Sequence, residues 1–168
     1  MVYHSHFKHA DDVVNHLDSI VPVIDDPLLQ IKYIGFVAVV SVTVYELAIK
    51  QIFIDFANKK HKVLRNFTES FFNRINGRIK ITVIQDEYIN KFGEKYKDKF
   101  KRRLDMASKQ YLAANKRDIK NSYANLITWR NDFAHEGKLN TTTTYSEVVQ
   151  AYQDGKQVIH CLADTMKR

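Results

Sequence analysis

Apolar residues recur at intervals of three and four along most of this chain, which is the spacing of one face of an α-helix. The spacing predicts a first helix over about residues 6–21 and a long second helix over about residues 28–60. The β-branched run VAVVSVTV in the second segment could instead form a buried strand. Because the helical spacing continues into YELAIKQIFIDFANKK with no turn signal between the two runs, we predict a helix throughout.

Further helices are predicted over about residues 64–75, 86–112 and 117–136. Asn76-Gly77 ends the first of these, and the alternating run RIKITVI after it leaves a short strand open as an alternative. In TYSE, Thr144 and Glu147 have the spacing of a capping box, which predicts the start of a last helix.

Composition supports an all-α fold. The chain has only five Gly and two Pro among its 168 residues, so turns are few and elements are long. We predict an up-and-down bundle of about five to six helices in a single domain spanning residues 1–168. The uncharged run at 33–45 is shorter than the roughly 18–20 residues that span a bilayer, which predicts a core helix and no membrane contact.

The net charge bears on the kind of partner that the protein binds. There are 26 Lys and Arg against 19 Asp and Glu, giving a formal charge of +7 that suits nucleic acid, although charge alone is weak support. A single cysteine, Cys161, excludes an intrachain disulfide, and the first residues do not resemble a signal peptide. We therefore expect a cytoplasmic protein.

A strongly basic segment, KFGEKYKDKFKRR, runs from Lys91 to Arg103. Its aromatic residues lie four apart, so they are expected to face the core and to leave the cations outside. That outer face is either simply solvated or a surface that follows a phosphate backbone. The candidates for nucleic-acid binding are Lys95, Lys99, Lys101, Arg102 and Arg103.

No cofactor or functional metal site is predicted. His4, His6 and His9 lie close together near the start of the chain, but they have no nearby cysteine or acidic ligand, which favours adventitious metal binding over a structural site. No glycine-rich phosphate loop and no Ser/His/Asp arrangement is visible in the sequence.

The segment WRNDFAHEGK at 129–138 carries the only convincing chemistry. Arg130 and His135 lie about 140° apart around a helix, so the arginine must reach a shared target through its length. Asn131 lies four residues before His135 and can orient its ring. Gly137 is well placed to end the helix. A histidine for proton transfer with an arginine for a phosphate charge is sufficient for phosphodiester cleavage without metal, whereas the plain alternative is a helix end with solvated polar residues.

The run RNDFAH resembles the R-x4-H signature of the HEPN superfamily, with Asn directly after Arg as in its ribonuclease members. The following glycine and the long upstream helix with YELAIKQIFIDFA are similar to the prokaryotic RiboL-PSP-HEPN branch, which includes defence and toxin proteins. The resemblance implies an α-helical homodimer in which two motifs face one cleft and cut RNA without a metal. The alternative is a non-catalytic HEPN module that binds nucleic acid or a protein partner.

The resemblance also implies residue roles. His135 would be the general acid or base, Arg130 would hold the scissile phosphate, and Asn131 would orient the histidine or the substrate. Asp132 adds a negative charge beside the motif and is a supporting candidate. Many members carry a polar residue on the long helix facing the motif, for which Glu46 is the candidate; a salt bridge to Lys50 is the competing interpretation.

One departure from the family pattern concerns regulation. Members paired with a nucleotidyltransferase antitoxin often carry a tyrosine two positions after the histidine, where this chain has Gly137. Control through modification of that tyrosine therefore cannot be carried over. The resemblance still implies an antitoxin or another defence-system protein as a candidate partner, whose identity the sequence does not give.

Overall fold

A computed structural model describes residues 2–137, 139 and 142–167, and all regular structure in this part of the chain is helical. A 3-10 turn at Val2–His6 precedes the first α-helix. The α-helices are α1 (Phe7–Leu17), α2 (Pro27–Asn58), α3 (Lys62–Phe72), α4 (Ile81–Val83), α5 (Glu94–Asn115), α6 (Ile119–Glu136) and α7 (Tyr145–Met166). The predicted all-α fold is confirmed, and the alternative of a strand after Gly77 is wrong.

The long helix α2 is the centre of the bundle and packs against α1, α3, α6 and α7. It begins where the Asp26 carboxylate accepts hydrogen bonds from the amides of Leu28 and Leu29, with Pro27 in the first helical position. Its length and composition would allow it to cross a membrane, but 61% of its most apolar window is buried inside the protein. This burial agrees with the prediction that α2 is a core helix of the bundle.

Aromatic rings join α2 to both helices of the second half. The Tyr45 ring stacks on Tyr123 of α6 at 5.5 Å and on Tyr152 of α7 at 5.8 Å. All three rings are buried, and the Tyr45 hydroxyl donates to the carbonyl of Tyr152. The first turns of α6 and the middle of α7 are therefore joined to α2 by an aromatic cluster.

The start of α5 differs from the prediction. Instead of one helix from about residue 86, the chain forms a π-helical turn at Ile84–Tyr88 and a 3-10 turn at Ile89–Phe92. Gly93 then adopts φ 114°, a conformation that side chains rarely allow, and α5 begins only at Glu94. The predicted inward aromatic face is nevertheless present, since Phe100 is buried and the Tyr96 ring lies 5.2 Å from that of Phe56.

The last helix begins as predicted. Thr144 accepts from the amide of Glu147, and the Glu147 carboxylate accepts from the amide of Thr144, which together form the capping box. The hydrogen bonds that the Glu147 carboxylate accepts from the amide and the hydroxyl of Thr144 lower the pKa of Glu147.

Candidate active site at the end of α6

The motif histidine lies in the last turn of α6. Gly137 ends the helix in the left-handed conformation, with φ 68°, and its amide donates to the carbonyl of Phe133 at 2.9 Å. His135 is exposed, and its ring forms no hydrogen bond within the described part of the chain. The imidazole is therefore open to a proton donor or acceptor from outside.

The motif arginine is held by a turn of the backbone. Arg130 is half-buried, and its Nη2 donates to the carbonyl of Gly77 at 3.2 Å. No ion pair to Arg130 is formed by the residues that the structure describes. Its only partner there is a neutral carbonyl. The positive charge is therefore not neutralised by these residues, and most of the N–H donors are left to bind an anion.

Gly77 is required at this turn for two separate reasons. Its φ is 78° and that of the preceding Asn76 is 39°, so the backbone is left-handed at both residues. A Cβ added at Gly77 would lie 2.3 Å from Nη2 of Arg130. A side chain here would therefore strain the turn and push the guanidinium away.

Glu46 holds the other side of the same turn. Its Oε2 accepts from the amide of Gly77 at 2.5 Å, while its Oε1 lies 2.7 Å from Nζ of Lys50. Glu46 thus forms the salt bridge to Lys50 and also binds the turn to which Arg130 donates. Its supporting role at the site stays a prediction.

A close contact with α2 fixes the end of α6. A Cβ added at Gly35 would lie 2.1 Å from the ring of Phe133, so the ring lies against the bare backbone of α2. Phe133 stands between Arg130 and His135 in the motif. The position of the motif relative to α2 therefore depends on the absence of a side chain at Gly35.

The other two predicted residues of the motif segment lie in the same last turns of α6 and make no side-chain hydrogen bond within the described residues. Asn131 and Asp132 are both half-buried. The bond from Asn131 to His135 that their spacing permits is not formed there. The exposed ring is left to water instead.

The five cationic candidates on α5 fall into two groups according to their contacts. Lys99 donates to the carbonyl of Thr165 at 3.1 Å, and Arg103 lies 3.9 Å from Asp164, so both engage the end of α7. The side chains of the other three candidates are exposed with no partner among the described residues: Lys95, Lys101 and Arg102.

The side-chain bonds between α5 and α6 lie far from His135. Lys120 lies 2.5 Å from Asp105, and Ser108 donates to Asp118 at 2.8 Å. These bonds lie at the first residues of α6, whose 18 residues span about 27 Å. Within the described residues, no hydrogen bond or ion pair joins the basic face of α5 to Arg130 or His135.

Cations that the sequence did not single out lie on the Gly77 side. Arg74 and Arg78 flank the turn, and Arg78 makes two hydrogen bonds of 2.9 Å with Glu87. The hydroxyl of Tyr88 donates to the carbonyl of Arg78 at 2.7 Å, which fixes the backbone there. The run RINGR, with an arginine on each side of an Asn-Gly turn, is the signal that could have indicated them.

No group of three or more His, Cys, Asp or Glu side chains within the described residues is arranged to hold a metal ion. The N-terminal histidines do not converge on one point. The His4 ring instead packs at a tilted angle against that of His160 of α7, with ring centroids 5.2 Å apart. The Tyr3 hydroxyl lies 3.0 Å from Nδ1 of the same His160. Burial, followed by the nearby His4, lowers the pKa of His160.

The helical bundle and the Arg130–His135 pair near the end of its penultimate helix define a helical domain of the R-x4-H class. The RiboL-PSP-HEPN family model matches residues 5–168, and the chain belongs to this family. HEPN domains have functions related to nucleic acids, and many are ribonucleases. No curated protein and no solved structure matches the chain significantly.

Proposed function

We propose that this protein is a metal-independent endoribonuclease whose site is completed by a second copy of the chain in a homodimer. Residues 1–168 act as one domain, and the protein works in the cytoplasm as a toxin or anti-phage effector. The observation that carries the proposal is that the last turns of α6 hold an exposed His135 and an Arg130 that donates to a neutral carbonyl and has no carboxylate partner among the described residues.

The chemistry needs one base, one acid and one cation. His135 accepts the proton of the ribose 2′-hydroxyl as the 2′-oxygen bonds to phosphorus, and His135 of the partner subunit donates a proton to the departing 5′-oxygen. The products are a 2′,3′-cyclic phosphate and a 5′-hydroxyl. Arg130 stabilises the negative charge that develops on the phosphate, and Asn131 orients the substrate or the ring.

Two-fold symmetry explains how a single histidine motif provides both an acid and a base. The family to which the chain belongs commonly binds RNA and dimerises, which supports this arrangement. An Arg130 engaged by a carboxylate of its own subunit would instead have favoured the non-catalytic module.

The test is cleavage of labelled single-stranded RNA in excess EDTA by the wild type, His135→Ala and His9→Ala. His9 is an exposed histidine outside the motif and serves as the matched control. We expect the wild type and His9→Ala to leave 2′,3′-cyclic phosphate ends and His135→Ala to lose cleavage. If the wild type binds RNA or a protein partner and cuts no RNA, the nuclease proposal fails in favour of the interaction module.

A further inference from the structure

A pocket of about 720 Å³ opens between α3 and the segment 78–91. One wall is aromatic, since Phe67 and Phe71 lie four residues apart on the same face of α3. Phe67 is 71% exposed. Phe67 therefore presents its ring to solvent, while the half-buried Phe71, which also contacts Phe72 and Tyr88, lines the same concave site.

The rest of the lining is charged, with an excess of cations. Arg74, Arg78 and Lys91 all contribute, and Nζ of Lys91 lies 5.0 Å from the centroid of the Phe71 ring. Within the described residues, Arg74 and Lys91 have no carboxylate partner.

Both acids of the pocket are already neutralised by cations. Glu87 pairs with Arg78 at 2.9 Å, and Asp86 pairs with Lys97 at 2.8 Å. The two unpaired cations therefore give the pocket a positive balance that suits an anionic ligand.

The pocket shares a turn with the candidate active site. Arg78, which lines it, follows directly on Gly77, and the carbonyl of Gly77 accepts the hydrogen bond from Arg130. Arg130 and the pocket are therefore connected through two consecutive residues, Gly77 and Arg78.

We propose that this pocket is a subsite for an unpaired nucleotide of the RNA substrate. The base stacks on Phe67 and Phe71, while Arg74 and Lys91 bind the flanking phosphates. Stacking on aromatic rings beside cations is the general mode by which proteins bind single strands, and the pocket volume lies in the range that ligand sites occupy. This inference rests on the proposed ribonuclease function and locates part of its substrate recognition.

Binding can be measured separately from cleavage with a fluorescent single-stranded oligonucleotide in which every ribose is 2′-deoxy, because it lacks the attacking hydroxyl. We expect Phe67→Ala to weaken its binding in anisotropy titrations by about tenfold. Val63→Ala is the matched control, since Val63 is 68% exposed on the same helix and lies outside the pocket. We expect Arg74→Gln to reduce the slope of log affinity against log salt by about 0.7.

An abasic spacer, moved one position at a time along the oligonucleotide, identifies the stacked base. At one position it should weaken binding to the wild type by about tenfold and to Phe67→Ala by little more than the experimental scatter, because the ring is already gone. Equal losses for both proteins at every position would overturn the subsite.

Cleavage of the matching all-ribose RNA by the wild type is measured in parallel. If the wild type cleaves the RNA and Phe67→Ala binds the oligonucleotide as tightly as the wild type does, the subsite is refuted and the nuclease proposal stands. Binding that depends on Phe67 without any cleavage would support the subsite and refute the nuclease. If the wild type binds no single strand, the subsite is refuted, and the cleavage assay decides the function independently.

Discussion

Glu46 and Arg130 bind the two sides of one residue: the Glu46 carboxylate accepts from the amide of Gly77, and the Arg130 guanidinium donates to its carbonyl. Glu46 belongs to α2 and Arg130 to α6, so the turn at Gly77 links the two helices by hydrogen bonds. The position of the motif arginine therefore depends on a residue outside the motif and on a loop outside both helices.

Replacement of Gly77 by alanine should reduce RNA cleavage by roughly ten- to a hundredfold. The new Cβ would lie 2.3 Å from Nη2 of Arg130 and displace the guanidinium, and small displacements of a positioned group are costly for catalysis. The left-handed backbone should also cost about 1–2 kcal/mol of folding free energy. Both effects are measured by cleavage rates and urea denaturation of the same preparations.

Gly93→Ala is the matched control for this variant. Gly93 also has a positive φ, but nothing lies within 4 Å of a Cβ added there. It should lose stability and keep its cleavage rate at a temperature where both variants are folded. Equal rates for Gly77→Ala and Gly93→Ala would show that the contact with Arg130 has no effect on activity.

Removal of the Glu46 carboxylate should release the turn from α2. We expect Glu46→Ala to lose about 1–3 kcal/mol of stability, because a charge-assisted hydrogen bond to the Gly77 amide is lost in a half-buried site. Cleavage should fall by roughly tenfold through the position of Arg130. Glu46→Gln retains one acceptor oxygen and should lie between the wild type and Glu46→Ala.

Lys50→Gln separates the two roles of Glu46. It removes the 2.7 Å ion pair and leaves the bond to the Gly77 amide in place. Cleavage close to that of the wild type is expected. If Lys50→Gln reduces the cleavage rate as much as Glu46→Ala does, the salt bridge, and not the bond to the Gly77 amide, controls activity.

The sequence predicted those features of the fold and site that depend on local pattern. The apolar spacing of α2, the capping box of Thr144 and Glu147, and the end of α6 at Gly137 are all set by neighbours in the chain, and all are present. The family resemblance of RNDFAH is confirmed by the match over residues 5–168. The catalytic roles of its residues stay predictions.

Features set by distant contacts were missed. Asn76-Gly77 was visible as a turn, but its bonds to Glu46 and Arg130 join positions far apart in the sequence, for which a single sequence carries no signal. The late start of α5 at Glu94 was missed because the apolar spacing continues through the π-helical and 3-10 turns before it. Gly93, with its positive φ, was the local signal for that break.

Replacement of Gly35 by alanine should destabilise the protein even though alanine favours helices. Helix propensity contributes about 1 kcal/mol in favour of the substitution. The new Cβ would lie 2.1 Å from the Phe133 ring, and overpacking of this kind costs about 1–3 kcal/mol. Urea denaturation measures the net loss.

A second substitution tests whether this loss comes from the Phe133 contact. Phe133→Leu should recover part of the stability of Gly35→Ala, because the smaller side chain leaves room for the methyl group. A double-mutant cycle gives the coupling. Additive effects of the two substitutions would exclude the contact as the cause.

Asp154 should make the free energy of unfolding depend on pH in the acid range. Its side chain is fully buried in α7, where it accepts from Tyr111 of α5, from Ser122 of α6 and from Arg117, which lies between these two helices. Burial alone would raise the pKa of Asp154, but these hydrogen bonds outweigh it, and the pKa is lowered from 3.8. The ionised form therefore stabilises the folded state at neutral pH.

Because the folded pKa lies below the unfolded value of 3.8, this stabilisation is present above pH 3.8 and is lost as the pH falls below it, through the folded pKa. Asp154→Asn should lose about 1–3 kcal/mol at pH 7, since the hydrogen bonds from Arg117 lose their charged acceptor. It should also show a shallower fall in the free energy of unfolding below pH 4 than the wild type. Asp98→Asn, at an exposed position of α5, should match the wild type at both pH values. Equal acid dependence in wild type and Asp154→Asn would mean that the buried carboxylate is not the group that titrates.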